Sequence, residues 1–134
     1  MLDRLVGYRI NRATYWLNLI AVICLLAVAS YLEFSVSSAG IAGIMVLSFI
    51  AGTRLHDIGK TAKIALFGAL IHTFLQIVGF VTLGVELGLV FAGVVNLILL
   101  VAMVWLGSIK GDPNANAWGD PPPPGISWQR PKPS

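Results

Sequence analysis

Residues 64–106 read IALFGALIHTFLQIVGFVTLGVELGLVFAGVVNLILLVAMVWL, and Glu86 is the one formal charge among them. As one straight helix the stretch would be about 65 Å long at 1.5 Å per residue, twice the roughly 30 Å hydrocarbon core of a bilayer. It therefore has to turn back. The turn belongs at Thr82-Leu83-Gly84-Val85-Glu86, because Gly79 and Gly84 loosen the helix and Glu86 prefers water. Two spans are predicted from this stretch, about Ala62–Leu83 and about Val85–Gly107.

Upstream the same logic predicts two more. One runs from about Tyr15 to Leu32, entered by Tyr15 and Trp16, whose amphipathic rings favour the headgroup level. The other, about Ser38 to Thr53, is shorter than the ~20 residues that normally cross. It is expected to begin in the Ser35–Ser38 region, to thin the bilayer or to let Arg54 snorkel. Its small residues, Ala39 with Gly43 and Ser48 with Gly52, favour close packing inside a bundle. A rival reading of the first span is a cleaved signal peptide, with Ala27-Val28-Ala29 before Ser30.

The nine lysines and arginines fall in three groups flanking these spans: Arg4, Arg9 and Arg12; Arg54, Lys60 and Lys63; Lys110, Arg130 and Lys132. The two remaining gaps hold Glu33 and Glu86 and no cation. Lys and Arg are retained on the cytoplasmic side, so all three groups mark that side. The predicted fold class is all-α: an integral membrane bundle of four transmembrane helices with both termini cytoplasmic. Residues 1–110 form the transmembrane domain. Residues 111–134 form a cytoplasmic Pro/Gly-rich tail whose start can pack on the bundle. Pro121 to Pro124 cannot continue a helix, so the tail beyond about Gly119 is expected to be loosely held or disordered.

Composition points the same way. Apolar residues make up 57% and charged residues 11%, against roughly 25% charged in a soluble domain; mean hydropathy is +0.83. The basic pI of about 9.4 fits helix ends beside anionic headgroups rather than nucleic acid. Cys24 is the only cysteine, which excludes an intramolecular disulfide.

Two polar constellations stand out. His72 and Gln76 share one face of the third span, and Asn96 lies on a Gly84, Gly88, Ala92 stripe of the fourth. Counted inward from the cytoplasmic ends, His72 and Asn96 reach the same depth. They are read either as interhelical hydrogen-bonding glue or as a midplane polar pathway. The second constellation is cytoplasmic: Arg54, His56, Asp57, Lys60 and Lys63, joined by Arg9 and Arg12 and by Asp112, Asn114 and Asn116. His beside Asp suits general acid-base work or a metal ligand. Yet no further ligands stand at fixed spacing, and no nucleophile or phosphate loop is recognisable. The structural alternative has Asp57 neutralising an arginine at the mouth of the bundle while Gly59 ends the helix.

At these residues the chain resembles the domain-of-unknown-function 805 family of small bacterial inner-membrane proteins. The matching residues are Arg12 with Tyr15-Trp16, Arg54-Leu55-His56-Asp57 with Gly59-Lys60, and Gly111 through Gly119 with Asn116. The chain departs at Thr61-Ala62-Lys63-Ile64, where Ser-Gly-Trp-Trp is typical, and at Ala117-Trp118. The resemblance implies a four-span bundle in a bacterial inner membrane with a cytoplasmic polar cluster, and no established activity, substrate or cofactor.

Three functions are carried forward. The first is a non-enzymatic membrane component that binds an anionic phospholipid headgroup. Arg12, Arg54 and Lys60 supply charge, Asp57 and Asn116 hold their side chains, and His56 completes the cluster. The second is a transporter or channel component using His72, Gln76 and Asn96. The third is an intramembrane enzyme with His56 as base. No catalytic residue, metal or cofactor is assigned. The expected partners are the bilayer, anionic phospholipid, and another membrane protein or a second copy of this chain, but not nucleic acid.

Overall fold

The computed structural model describes residues 7–32 and 36–128. Arg4, Glu33, Ser35, Arg130 and Lys132 lie outside them, as do the side chains of Ser38 and Ala39. The described residues form three helices: α1 (Arg12–Tyr31), α2 (Val36–Asp57) and α3 (Lys63–Ser108).

α1 begins where the side chain of Asn11 accepts the Thr14 amide at 2.9 Å, one of the donors a helix start leaves open. α2 ends in a Schellman motif. Gly59, at φ +75°, donates its N–H to the His56 carbonyl, and the Lys60 N–H reaches back to Leu55 at 2.8 Å. α3 starts without a side-chain cap of its own. There His56 Nε2 accepts the Ala62 amide from across the turn at 3.3 Å.

The expected bundle of four transmembrane helices is corrected by this architecture. Three helices are present, and two of them, α1 and α3, are long and apolar enough to cross a membrane. The turn expected at residues 82–86 is present, but it takes only one non-helical residue, Gly84 (φ 74°, ψ −176°), so its two helical arms run together as the 46-residue α3. The chain reverses there, since His72 and Asn96 would be about 36 Å apart along a straight helix but stand 2.9 Å apart. A Cβ on Gly88 would meet the Phe80 backbone at 3.2 Å, so the two arms of α3 lie against each other.

The core sits at one end. Tyr15 and Leu19 of α1, Ile50 and Leu55 of α2, and Met103 and Leu106 of α3 are buried together with Ile10. The Tyr15 hydroxyl ties α1 to α3 by donating to the Met103 carbonyl at 2.8 Å. Away from this end the helices turn apolar side chains outward. Only 17% and 22% of the most apolar segments of α1 and α3 are buried within the molecule, the reverse of a soluble core helix.

The tail also differs from expectation. Asn11 Nδ2 donates to the Pro123 and Gly125 carbonyls at 2.6 Å each. Thr14 Oγ1 exchanges hydrogen bonds with the Ser127 backbone, and the Trp128 indole donates to Asn18. Residues 123–128 are thus held along the start of α1. A polyproline strand leaves its carbonyls unpaired, and these are the acceptors the Asn11 amide uses.

Candidate functional site

Where α2 ends, three charged side chains are almost wholly removed from solvent: Arg9 at 1%, Arg54 at 0% and Asp57 at 3% exposure. Isolated buried charges are strongly unfavourable, so the question is how each is compensated. Asp57 Oδ1 accepts from Arg9 Nε and Nη2, both at 3.2 Å, and Oδ2 accepts from Arg54 Nη1. One carboxylate therefore joins two guanidinium groups.

The other hydrogen bonds of the two guanidinium groups go to backbone carbonyls of the connecting segments, while the buried Arg54 Nε has no hydrogen-bond partner among the described residues. Arg9 Nη2 donates to Asp112 at 2.6 Å, and Nη1 donates to Asn114 at 2.8 Å and Gly119 at 2.9 Å. Arg54 Nη2 donates to Ile109, and Nη1 reaches Ile10 at 3.4 Å. The Asp112 N–H donates to the Asp57 carbonyl at 2.7 Å. Gly111 passes so close to the Asp57 carboxylate that a Cβ would overlap it. The segment after α3 is thereby wrapped around the end of α2.

Arg54 and Asp57 belong to neither candidate span. Burial pushes the Asp57 carboxyl above its usual range, opposed by Arg54 and then Arg9. Burial likewise lowers Arg54, with Asp57 opposing and the nearby charge of Arg12 adding to the lowering.

His56, fully buried, lies under Trp118 with ring centroids 4.5 Å apart and planes 12° from parallel. Asn116 Nδ2 donates to the His56 carbonyl at 3.0 Å, while Asn116 Oδ1 accepts from the Trp118 amide. With Nε2 accepting from Ala62, the imidazole is committed to holding the α2–α3 turn rather than exposed to a substrate. Among the described residues no three of His, Cys, Asp and Glu gather as a metal would require.

Of the six residues expected in the cytoplasmic cluster, Arg54, His56, Asp57 and Asn116 come together. Arg12 and Lys60 stay at its edge: both are exposed, and no ion pair forms at either among the described residues. Arg9, three residues before the helix start at Arg12, takes the pairing position expected of Arg12. The polar residues of α3 form their own unit. Asn96 Oδ1 stands 2.9 Å from His72 Nε2 and accepts from Gln76 Nε2 at 3.0 Å.

The site defines an all-helical protein with two helices fit to cross a membrane and a buried arginine–aspartate–arginine clamp at one end. No family model, no curated protein and no solved structure matches the chain.

Proposed function

We propose that this chain is a non-enzymatic component of a bacterial inner membrane, akin to the domain-of-unknown-function 805 proteins, and that its basic end faces the cytoplasm and holds anionic phospholipid headgroups. The observation that carries the reading is the division of labour among its cations. Arg9 and Arg54 are spent internally on Asp57 and on backbone carbonyls. Arg12, Lys60, Lys63 and Lys110 remain exposed around the same end. Buried guanidinium groups fix the fold, and exposed cations beside outward apolar helices meet phosphate. The headgroup contact is thus assigned to the exposed cations rather than to Arg54.

The orientation rests on the same distribution. Arg9 and the 112–119 segment touch, so the two ends of the described chain approach one end of the helices, and that end bears the exposed cations among the described residues. His72, Gln76 and Asn96 hydrogen-bond among themselves, which favours glue over a conducting pathway.

The test is lipid copurification from detergent. A variant with Arg12, Lys60, Lys63 and Lys110 all changed to Ala should melt like the parent and lose its anionic-lipid enrichment. Raising salt should mimic the loss, since exposed charges are screened within about 8–10 Å. Unchanged enrichment in the folded variant refutes the reading.

A further inference from the structure

Two adjacent cavities lie between α2 and α3. The outer one, about 490 Å³, has Lys60, Lys110 and Gly111 at its mouth and Leu55, Ile64 and Trp105 deeper in. The inner one, about 220 Å³, shares Leu55, Ile64 and Trp105 and continues along α2 through Ala51 to Ile44. Set end to end through these shared residues, they outline a groove with cations at one end and apolar walls along the rest. Small residues keep it open: Ala51 on α2 faces Ala65, Gly68 and Ala102 of α3.

The dimensions and the chemistry select one occupant. From Leu55 to Ile44 the groove follows about 16 Å of helix at 1.5 Å per residue, half of the roughly 30 Å hydrocarbon core and so the depth of one leaflet. Trp105 stands where the charged and apolar parts join, and indole rings favour the headgroup level. Both lysines are exposed and form no ion pair among the described residues. The single carboxylate at the mouth, Asp112, accepts the Asn114 amide of its own loop at 3.0 Å, so the two ammonium groups are in excess. A second helix would be too wide for a groove of this volume, and a soluble anion would have no use for its apolar length.

We propose that this groove is a binding site for one anionic phospholipid, its acyl chain lying between α2 and α3 and its phosphate held by Lys60 and Lys110. The inference rests on the membrane reading above and narrows it from a basic surface to a single site. Arg12 and Lys63 contribute to the general attraction of the basic end and do not line the groove.

The protein, purified and delipidated in detergent, is titrated with phosphatidylglycerol and its adducts are resolved by native mass spectrometry. One lipid per chain is expected to persist at low activation, and excess inorganic phosphate leaves it in place. Lys60→Ala with Lys110→Ala should weaken that adduct about tenfold or more, as removing charge-assisted hydrogen bonds does. Gly68→Leu is the second variant. Gly68 lines the inner cavity, and a Cβ there meets no atom within 4 Å, so the substitution adds bulk at the groove wall without a backbone clash. It should abolish the single-lipid adduct while the protein still prefers anionic over zwitterionic vesicles.

Three results overturn the site. A full-strength adduct in Gly68→Leu does so, as does an adduct lost equally on Arg12→Ala with Lys63→Ala. A change of oligomeric mass in Gly68→Leu would make the groove a contact between chains. Retained vesicle preference in the four-cation variant, together with an adduct weakened by Lys60→Ala with Lys110→Ala and abolished in Gly68→Leu, would leave the groove standing and refute the surface reading instead.

Discussion

Asp57 is the residue on which the end of the molecule turns, because its two oxygens divide between Arg9 and Arg54. Asp57→Ala leaves two guanidinium groups buried without a counter-ion, and breaking a buried pair in this way costs about 3–5 kcal/mol. A large drop in melting temperature in detergent is expected, with Asp57→Asn intermediate; an unchanged melting temperature would show that the carboxylate is not compensating the arginines. Gly111→Ala should cost about 1–3 kcal/mol, as overpacking does. Its methyl meets a carboxylate pinned by two arginines, which has nowhere to go. Thermal melts that leave Gly111→Ala unchanged would mean the loop can lift away. Arg54 and Asp57 were legible as partners because they lie one helical turn apart. Arg9 was not, for the segment before α1 is not helical and counting by helical face does not reach it. Most of its bonds go to the carbonyls of Asp112, Asn114 and Gly119, and backbone acceptors leave no mark in the side-chain letters.

Within α3 the reversal depends on one residue. The φ and ψ of Gly84 fall in a region essentially closed to other residues, so Gly84→Val carries about 1–3 kcal/mol of backbone strain. The expected outcome is a lower melting temperature and a longer distance between spin labels placed on the two arms; unchanged distances would show that the reversal does not need glycine. Asn96→Leu removes the acceptor shared by His72 and Gln76 and should cost about 0.6–2 kcal/mol by thermal denaturation, the range for a polar contact in a membrane. A neutral or stabilising change would remove the glue role. Chain length forced a turn near Gly84, and equal depth brought His72 opposite Asn96, so both could be read from sequence. What separates the observed count of helices from the expected one is that the two arms meet across the single residue Gly84 and form one element, with no loop between them.

At the scale of the whole molecule, the two ends of the described chain are fastened together. Arg9 grips the 112–119 segment, and the first turn of α1 holds residues 123–128. A proline run reads as loose in sequence because it makes no internal hydrogen bonds, and for the same reason it offers carbonyls to any nearby donor. Asn11 does two jobs with two ends of one amide: its oxygen caps α1, and its nitrogen holds Pro123 and Gly125. The two jobs separate by substitution. Asn11→Asp keeps an acceptor for the Thr14 amide and has no donor for the tail, whereas Asn11→Ala loses both. The alanine variant should therefore lose about 1 kcal/mol of stability, the usual worth of a helix cap. The aspartate variant should melt close to the parent. In both, limited proteolysis should cut residues 121–128 several-fold faster, because a released polyproline strand is solvated along its length. If Asn11→Asp protects the tail as well as asparagine does, the strap is held by Thr14 and Trp128 instead. Thr14→Val, which removes the paired contacts with Ser127, would then be the variant that frees it.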